Sequence, residues 1–186
     1  MSAVTAADAS LLVFRFGLGI VFLAHGYNHV FGGGKIAGTA RWFEGLGMRP
    51  SVLHAWTASL TEAGAGVLLL LGLATPVACA GVIGTMVVAW VTNHLRNGFF
   101  IFRPGEGYEY VMTLTLAAIG LAGVGAGQWS VDHALGWFDP PGWIGLGIAL
   151  AAGLGGAVGL LATCWRPART PAAAPAPVAE PERLES

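Results

Sequence analysis

Charged residues are scarce in this chain. Only 10% of its 186 residues are Asp, Glu, Lys or Arg, whereas 55% are hydrophobic. A soluble domain of average composition carries about 25% charged residues. The scarcity excludes an ordinary soluble globular protein, and the apolar runs are long enough to cross a bilayer. We therefore expect an integral membrane protein whose main partner is the lipid bilayer.

Several familiar chemical signatures are also missing. The two cysteines, Cys79 and Cys164, stand far apart, so the chain has neither a CxxC pair nor the Cys/His spacing of a zinc site. We expect no metal site. The net charge is −1 and no basic block occurs, which excludes an electrostatic nucleic-acid interface. The absence of a P-loop, GxSxG, HExxH or dinucleotide fingerprint gives no support to a nucleotide enzyme of the soluble type.

Five apolar runs predict membrane-spanning helices, each near the length of about 20 residues that a bilayer needs. They cover residues 11–31, 54–73, 77–95, 109–127 and 142–165. The predicted fold class is all-α, a polytopic membrane helix bundle with a four-helix core (residues 1–135) and a fifth C-terminal transmembrane helix (residues 136–165). Residues 166–186 are rich in Pro and Ala and are predicted to form a disordered tail.

Two further patterns concern surfaces. Residues 36–46 are amphipathic and are predicted to lie along the membrane surface. GxxxG pairs, Gly123 with Gly127 and Gly155 with Gly159, predict faces where helices approach closely. We leave open a homo-oligomer.

Outside the predicted spans, Lys and Arg occur only in the connection between the first two spans, the connection between the third and fourth, and the tail, whereas Arg15 lies within the first span. By the positive-inside rule, these segments are cytoplasmic and the N-terminus is outside. We expect a multi-pass protein of the bacterial plasma (inner) membrane with a cytoplasmic C-terminus.

Polar residues collect at one end of the predicted bundle. In an up-and-down bundle, the ends of spans one and three and the starts of spans two and four lie on the same side. Ionisable groups in hydrocarbon are costly and are therefore functional candidates. The candidate catalytic residues are Glu62, His94 and His25. The residues expected to complete a substrate-binding mouth are His29, Trp90, Asn97, Tyr108 and Glu109.

Structural interpretations compete with these roles. His25 and His29, spaced i, i+4, could ligate a metal or a haem, but interfacial histidines that only form hydrogen bonds are commoner. Glu62 could be a structural residue that forms a hydrogen bond to a neighbouring helix. His94 and Asn97 could simply terminate their helix.

Short motifs follow one another in a characteristic order along residues 11–135. They are Arg15 with His25-Gly26, Phe43-Glu44-Gly45-Leu46-Gly47, Glu62-Ala63-Gly64-Ala65-Gly66, Leu71-Gly72-Leu73-Ala74-Thr75-Pro76, His94-Leu95-Arg96-Asn97-Gly98-Phe99, Gly107-Tyr108-Glu109-Tyr110 and Gly125-Ala126-Gly127-Gln128-Trp129-Ser130-Val131-Asp132. In this order and spacing the chain resembles the DoxX family of small bacterial membrane proteins. The resemblance implies a four-helix membrane core. It also implies a redox association, since the family includes the membrane subunit of an archaeal thiosulfate:quinone oxidoreductase.

Three functions follow as hypotheses. The first is a quinone-linked redox subunit of a membrane oxidoreductase complex, with a redox protein as partner and quinone as the cofactor. His94, His25 and Glu62 would supply hydrogen bonds and a proton route. The second is a non-catalytic membrane scaffold for a soluble partner. The third is a small-molecule or proton-coupled transporter, motivated by Glu62 although no internal repeat supports it. Whether the chain is catalytic stays open.

Overall fold

The computed structural model describes residues 5–138 and 142–167, and regular secondary structure in these ranges is helical. The helices are α1 (Ala6–Phe31), α2 (Lys35–Gly45), α3 (Ser51–Leu71), α4 (Thr75–Ala89), α5 (Glu109–Val124), α6 (Val131–Leu135) and α7 (Trp143–Cys164). A π-helical turn (Trp90–His94) and a 3₁₀ turn (Leu95–Asn97) continue α4. The predicted all-α membrane bundle is confirmed. The predicted disordered tail falls, beyond Pro167, outside the described residues.

All five predicted spans form helices, but they differ in length and apolarity. In the described part of the chain, three helices are long and apolar enough to cross a membrane: α1, α4 with its π and 3₁₀ turns, and α7. These helices indicate association with a lipid bilayer. Helix α5 is apolar but has only 16 residues. Helix α3 has 21 residues, about 31 Å of rise, and its apolar character is interrupted by His54 and Glu62.

Helix α4 lies at the centre of the packing, and α5 and α7, which both contact it, also contact each other. Helix α1 packs against α3, α3 packs against α4, and α4 also contacts α5 and α7. Helix α2 lies against α1 and α3. We call the end of the bundle where α1 and α4 finish the polar end. The α3–α4 connection lies at the opposite end.

Helix α7 runs the whole length of the bundle. At the opposite end, a Cβ on Gly145 would lie 3.0 Å from the carbonyl oxygen of Ala122 in α5. At the polar end, the indole Nε1 of Trp165 donates to the carbonyl of Leu46 at 2.9 Å. The backbone N–H of Arg166 also donates to the carbonyl of Gly47 at 2.7 Å. The end of α7 is thus tied to the α2–α3 connection.

Small residues bring α7 close to α4, but they are not the residues that the GxxxG pattern selects. The buried stripe of α7 is Gly145, Ala149, Gly153 and Ala157. A Cβ on Gly153 would lie 2.9 Å from the carbonyl oxygen of Ala80, so only glycine permits this approach.

The predicted GxxxG faces are wrong for contacts within this chain. A Cβ on Gly123, Gly155 or Gly159 would meet no atom within 4 Å, and Gly127 lies beyond the end of α5. Because these helices are apolar and rich in small residues on all sides, spacing alone does not identify the stripe that faces a neighbour.

Two buried charged residues hold the α3–α4 connection at the opposite end. Arg15 is fully buried and donates to the carbonyls of Leu69 at 2.8 Å and Trp129 at 2.6 Å. The carboxylate of Asp132 accepts from the backbone N–H groups of Ala74 at 2.7 Å and Thr75 at 2.8 Å. Arg15 therefore satisfies carbonyls at the end of α3, and Asp132 satisfies N–H groups at the start of α4.

Candidate functional site

A cavity of about 770 Å³ opens at the polar end of the bundle. This volume falls within the range of small-molecule sites. Helices α1, α2, α3, α4, α5 and α7 all contribute to its walls. Its polar and ionisable lining residues include His25, His29, His54, Glu62, Asn93, His94, Glu106 and Tyr110. Four of the predicted site residues thus meet in one cavity.

The deepest polar feature of this cavity is the Glu62–His29 pair. Glu62 is only 3% exposed, and its Oε2 lies 3.1 Å from Nδ1 of His29. The distance is that of an ion pair, but the angles are not those of a hydrogen bond. Neither atom has a hydrogen-bond partner among the described residues. Two buried polar atoms therefore face each other with unused hydrogen-bonding capacity.

A close helix crossing explains why the Glu62–His29 pair forms. Gly26 of α1 lies against α3, where an added Cβ would come within 2.9 Å of the Ser59 carbonyl oxygen and the Ala63 nitrogen. His29 follows Gly26 by three residues, and Glu62 follows Ser59 by three residues. Because residues three apart lie on the same face of a helix, His29 and Glu62 both lie on the faces that meet at this crossing, where their side chains reach each other.

Helix α2 covers the Glu62–His29 pair with aromatic side chains. The rings of Trp42 and Phe43 lie 6.5 Å and 6.2 Å, centroid to centroid, from the His29 imidazole. Residues 36–46 were predicted to lie along the membrane surface. In the structure, the helix they form packs on α1 and α3, and its aromatic side chains form part of the cavity wall. Sequence periodicity indicated the helix but not this contact.

His25 occupies the rim of the cavity. Its side chain is exposed, its Nδ1 lies 2.9 Å from the carbonyl of Val21, and its ring stacks on Tyr110 at 6.2 Å. The i, i+4 spacing of His25 and His29 had left metal or haem ligation open. Within residues 5–138 and 142–167, no group of three His, Cys, Asp or Glu side chains is arranged to hold a metal ion.

The π-helical turn places His94 on the cavity wall and ties it to the loop that follows. Its Nδ1 lies 2.8 Å from the carbonyl oxygen of Glu106, and its Nε2 lies 3.2 Å from the amide nitrogen of Asn93. These contacts correspond to a ring that donates through Nδ1 and accepts through Nε2. Asn97 Nδ2 donates to the carbonyls of Asn93 at 2.9 Å and Glu106 at 3.2 Å. Such π turns are frequent at functional sites.

The other predicted mouth residues lie beside the cavity and do not line it. Trp90 stacks on Tyr108 with the ring centroids 5.3 Å apart, and Phe99 meets Tyr108 edge-on at 5.6 Å. The Glu109 carboxylate accepts from the backbone N–H of Ile101 at 3.2 Å. These contacts, like those of Asn97, organise the α4–α5 connection.

An apolar cleft extends the cavity away from the polar end. Its walls come from α3, α4 and α7, and the lining residues there include Leu60, Gly64, Leu68, Gly81, Gly84, Gly156 and Leu160. The contribution of α7 had no signal in the sequence, because its cavity-facing residues are the same small and aliphatic types that face lipid elsewhere.

Comparison with known families finds a match over part of the chain. Residues 10–95 match the family model of DoxX. This segment is slightly less than half of the chain, and over it the chain is similar to DoxX. The resemblance predicted from the motifs is confirmed over that segment, and the motifs after residue 95 lie beyond the match. The matched segment contains His25, both members of the Glu62–His29 pair, and His94. No curated protein and no solved structure matches the chain.

Proposed function

We propose that the chain is a quinone-linked redox subunit of a membrane oxidoreductase complex, with the quinone head group bound at the Glu62–His29 pair. The observation that carries the proposal is this pair, which is buried without hydrogen-bond partners in a cavity that continues into an apolar cleft. A lipophilic molecule with a polar ring matches both parts of that cavity.

The unpaired atoms fit the chemistry of a quinone. A quinone offers carbonyl oxygens that accept hydrogen bonds, and on reduction these become hydroxyl groups. A buried polar group without a partner costs about 1–3 kcal/mol. Hydrogen bonds from the Glu62–His29 pair to a ligand offset that cost, so binding is favoured where the free protein leaves these atoms unpaired.

Proton transfer follows from the same residues. Quinone reduction consumes electrons and protons. Glu62 lies next to the bound ring and delivers protons to its oxygens, and His29 holds the carboxyl group in place at 3.1 Å. His25, exposed at the rim, connects this pair with the surface. The electrons come from a redox protein partner or a small reduced substrate.

The arrangement of cations supports the predicted orientation. Arg49 donates its N–H to the carbonyl of Cys164, so Arg49 and Arg166 lie at the same, polar end. By the positive-inside rule, we place this end in the cytoplasm of a bacterium, with the chain in the inner membrane. The proposed organisation remains a core of residues 1–135 extended by the fifth helix of residues 136–165.

The test is to purify the protein, extract and identify bound quinone, and measure quinone reduction with thiosulfate and with other sulfur or electron donors. The proposal expects bound quinone and a reduction rate that collapses in Glu62→Gln. The matched control is Glu44→Gln, because Glu44 is exposed on α2 and outside the cavity. Full activity in Glu62→Gln would remove this residue from the mechanism.

A proton-coupled transporter is the second candidate. It is favoured by the position of Glu62, an acidic residue that is buried inside the bundle yet lines an open cavity. Proton uptake into proteoliposomes that depends on a small solute, and that is lost in Glu62→Gln, would favour transport over quinone reduction. The scaffold hypothesis relies largely on the tail, which lies mostly outside the described residues.

A further inference from the structure

The packing of α3, α4 and α7 leaves a cleft that opens sideways. Helices α3 and α7 each pack against α4, but they make at most marginal contact with each other. Helix α4 is therefore the back wall, and α3 and α7 are the two sides. Leu60 and Gly64 line the cleft and are exposed on the outer surface of the bundle. In a membrane that surface meets the hydrocarbon chains of lipids.

Glycine residues keep this cleft open because they have no side chain to fill it. A Cβ on Gly64 or Gly156 would meet no atom within 4 Å, so the space beside both residues is free. The residues that α7 contributes to the wall are all apolar and uncharged: Ala152, Gly153, Gly156, Ala157 and Leu160. An occupant of the cleft therefore gains from apolar contact and finds no polar partner on α7.

The length of the cleft exceeds what a ring alone would fill. The lining residues of α4 run from Val77 to Ala89, which corresponds to about 18 Å along the helix axis. The same continuous cavity contains the Glu62–His29 pair at its polar end. Its shape is thus polar and closely walled at one end, and apolar, long and open to the side at the other.

We propose that the cleft between α3 and α7 seats the polyprenyl tail of the quinone and is the route by which the quinone enters from the bilayer. This inference rests on the proposed function, since it places the tail of the molecule whose ring lies at the Glu62–His29 pair. A tail bound here is in contact with α4 along its length and with the bilayer along one side.

The test compares binding of quinones with and without the tail. The probes are menaquinone and ubiquinone with their polyprenyl chains, and the matching ring compounds without the chain. Binding is measured on the full-length protein in lipid nanodiscs by quenching of tryptophan fluorescence, where phospholipid chains compete for the cleft throughout. Gly64→Leu and Gly156→Leu fill the cleft. Gly155→Leu is the control, because Gly155 adjoins Gly156, is exposed, has equal free space and does not line the cavity.

We expect each cleft variant to weaken binding of the long-chain quinone by about tenfold, because the new side chain displaces buried methylene groups of the tail. Binding of the chain-free ring should stay within about twofold of the wild type, since the Glu62–His29 pair is unchanged. Equal binding of the long-chain quinone by Gly64→Leu, Gly156→Leu and Gly155→Leu would overturn the tail site while leaving the ring site intact. If neither kind of compound binds the wild-type protein, the quinone proposal itself fails and the tail site fails with it.

Discussion

Arg15 and Glu62 lie at the two ends of the bundle, and both are almost fully buried, at 0% and 3% exposure. Their hydrogen bonding differs. At the opposite end, Arg15 donates to backbone carbonyls through both of its terminal nitrogens. At the polar end, the Oε2 atom of Glu62 lies 3.1 Å from the Nδ1 atom of His29 and accepts no hydrogen bond from the described residues. The Nε atom of Arg15 is also without a partner among these residues, but both terminal nitrogens of its guanidinium are bonded. Burial alone therefore does not separate a structural charge from a functional one, whereas hydrogen bonds at the charged end of the side chain do.

The position of each residue along the helices explains the difference. The ends of helices leave carbonyl and N–H groups without partners inside the helix. Arg15 and Asp132 meet such groups where α3 ends and α4 begins. Glu62 and His29 meet across the middle of α3, where backbone groups are already paired within the helix. A carboxylate in that position finds no free backbone N–H and needs a donor from another side chain, a water molecule or a ligand.

The largest expected effect is at the opposite end, where Arg15 lies. Arg15→Met keeps an unbranched apolar side chain but removes the Arg15 donor from the carbonyl of Trp129, and it leaves the carbonyl of Leu69 with only the N–H of Gly72 at 3.2 Å. We expect a loss of roughly 3–5 kcal/mol in the free energy of unfolding. The measurement is unfolding in detergent micelles, followed by circular dichroism. The control is Arg41→Met, because Arg41 is exposed on α2. If both variants unfold like the wild type, the hydrogen bonds of Arg15 do not make it a structural residue.

Glu62→Gln should lower activity and leave stability almost unchanged, whereas Arg15→Met lowers stability. The substitution preserves size and removes the acid, so we expect quinone reduction to fall by about 10²-fold or more. The free energy of unfolding should change by no more than about 1 kcal/mol, because no hydrogen bond to Oε2 is lost. Activity and unfolding are measured on the same preparation. A large loss of stability with normal residual activity would make Glu62 a structural residue like Arg15.

Asp132→Asn replaces a carboxylate by an amide at the opposite end, as Glu62→Gln does at the polar end. The amide can accept through only one atom, so one of the N–H groups of Ala74 and Thr75 loses its acceptor. We expect a loss of about 1–3 kcal/mol in the free energy of unfolding. Quinone affinity, measured at a temperature where the variant is folded, should equal that of the wild type. A changed affinity with normal stability would contradict the division of roles between the two ends.

Much of the difference between the two ends could be predicted from the order of residues in the sequence, and part of it could not. The lengths of the apolar runs predicted the helices, and their alternation brought His25, His29, Glu62 and His94 to one end. Which side chains then face the cavity depends on helix rotation, which a uniformly apolar helix does not reveal. Trp90, Tyr108 and Glu109 were predicted at the mouth, but the structure places them beside the cavity.

Two other features had no usable signal in the sequence. Asp132 was not selected as important, because a single acid in a polar connection is indistinguishable from a solvated one until Ala74 and Thr75 are seen to donate to it. The wall that α7 contributes was also not predicted. Gly156 lines the cavity and Gly155 does not, although the two are adjacent and chemically identical.

The smallest expected effect concerns Asn97, a predicted mouth residue whose amide is used by the chain itself. Asn97→Ala removes donors to the carbonyls of Asn93 and Glu106 and so loosens residues 98–108. A loss of about 1 kcal/mol would raise the open population of this loop roughly fivefold. Limited trypsin cleavage after Arg103 measures that population. The control is Thr92→Ala, because the hydroxyl group of Thr92 bonds only to Val88 of its own helix. If cleavage is no faster in Asn97→Ala, contacts other than the amide of Asn97 hold the loop closed.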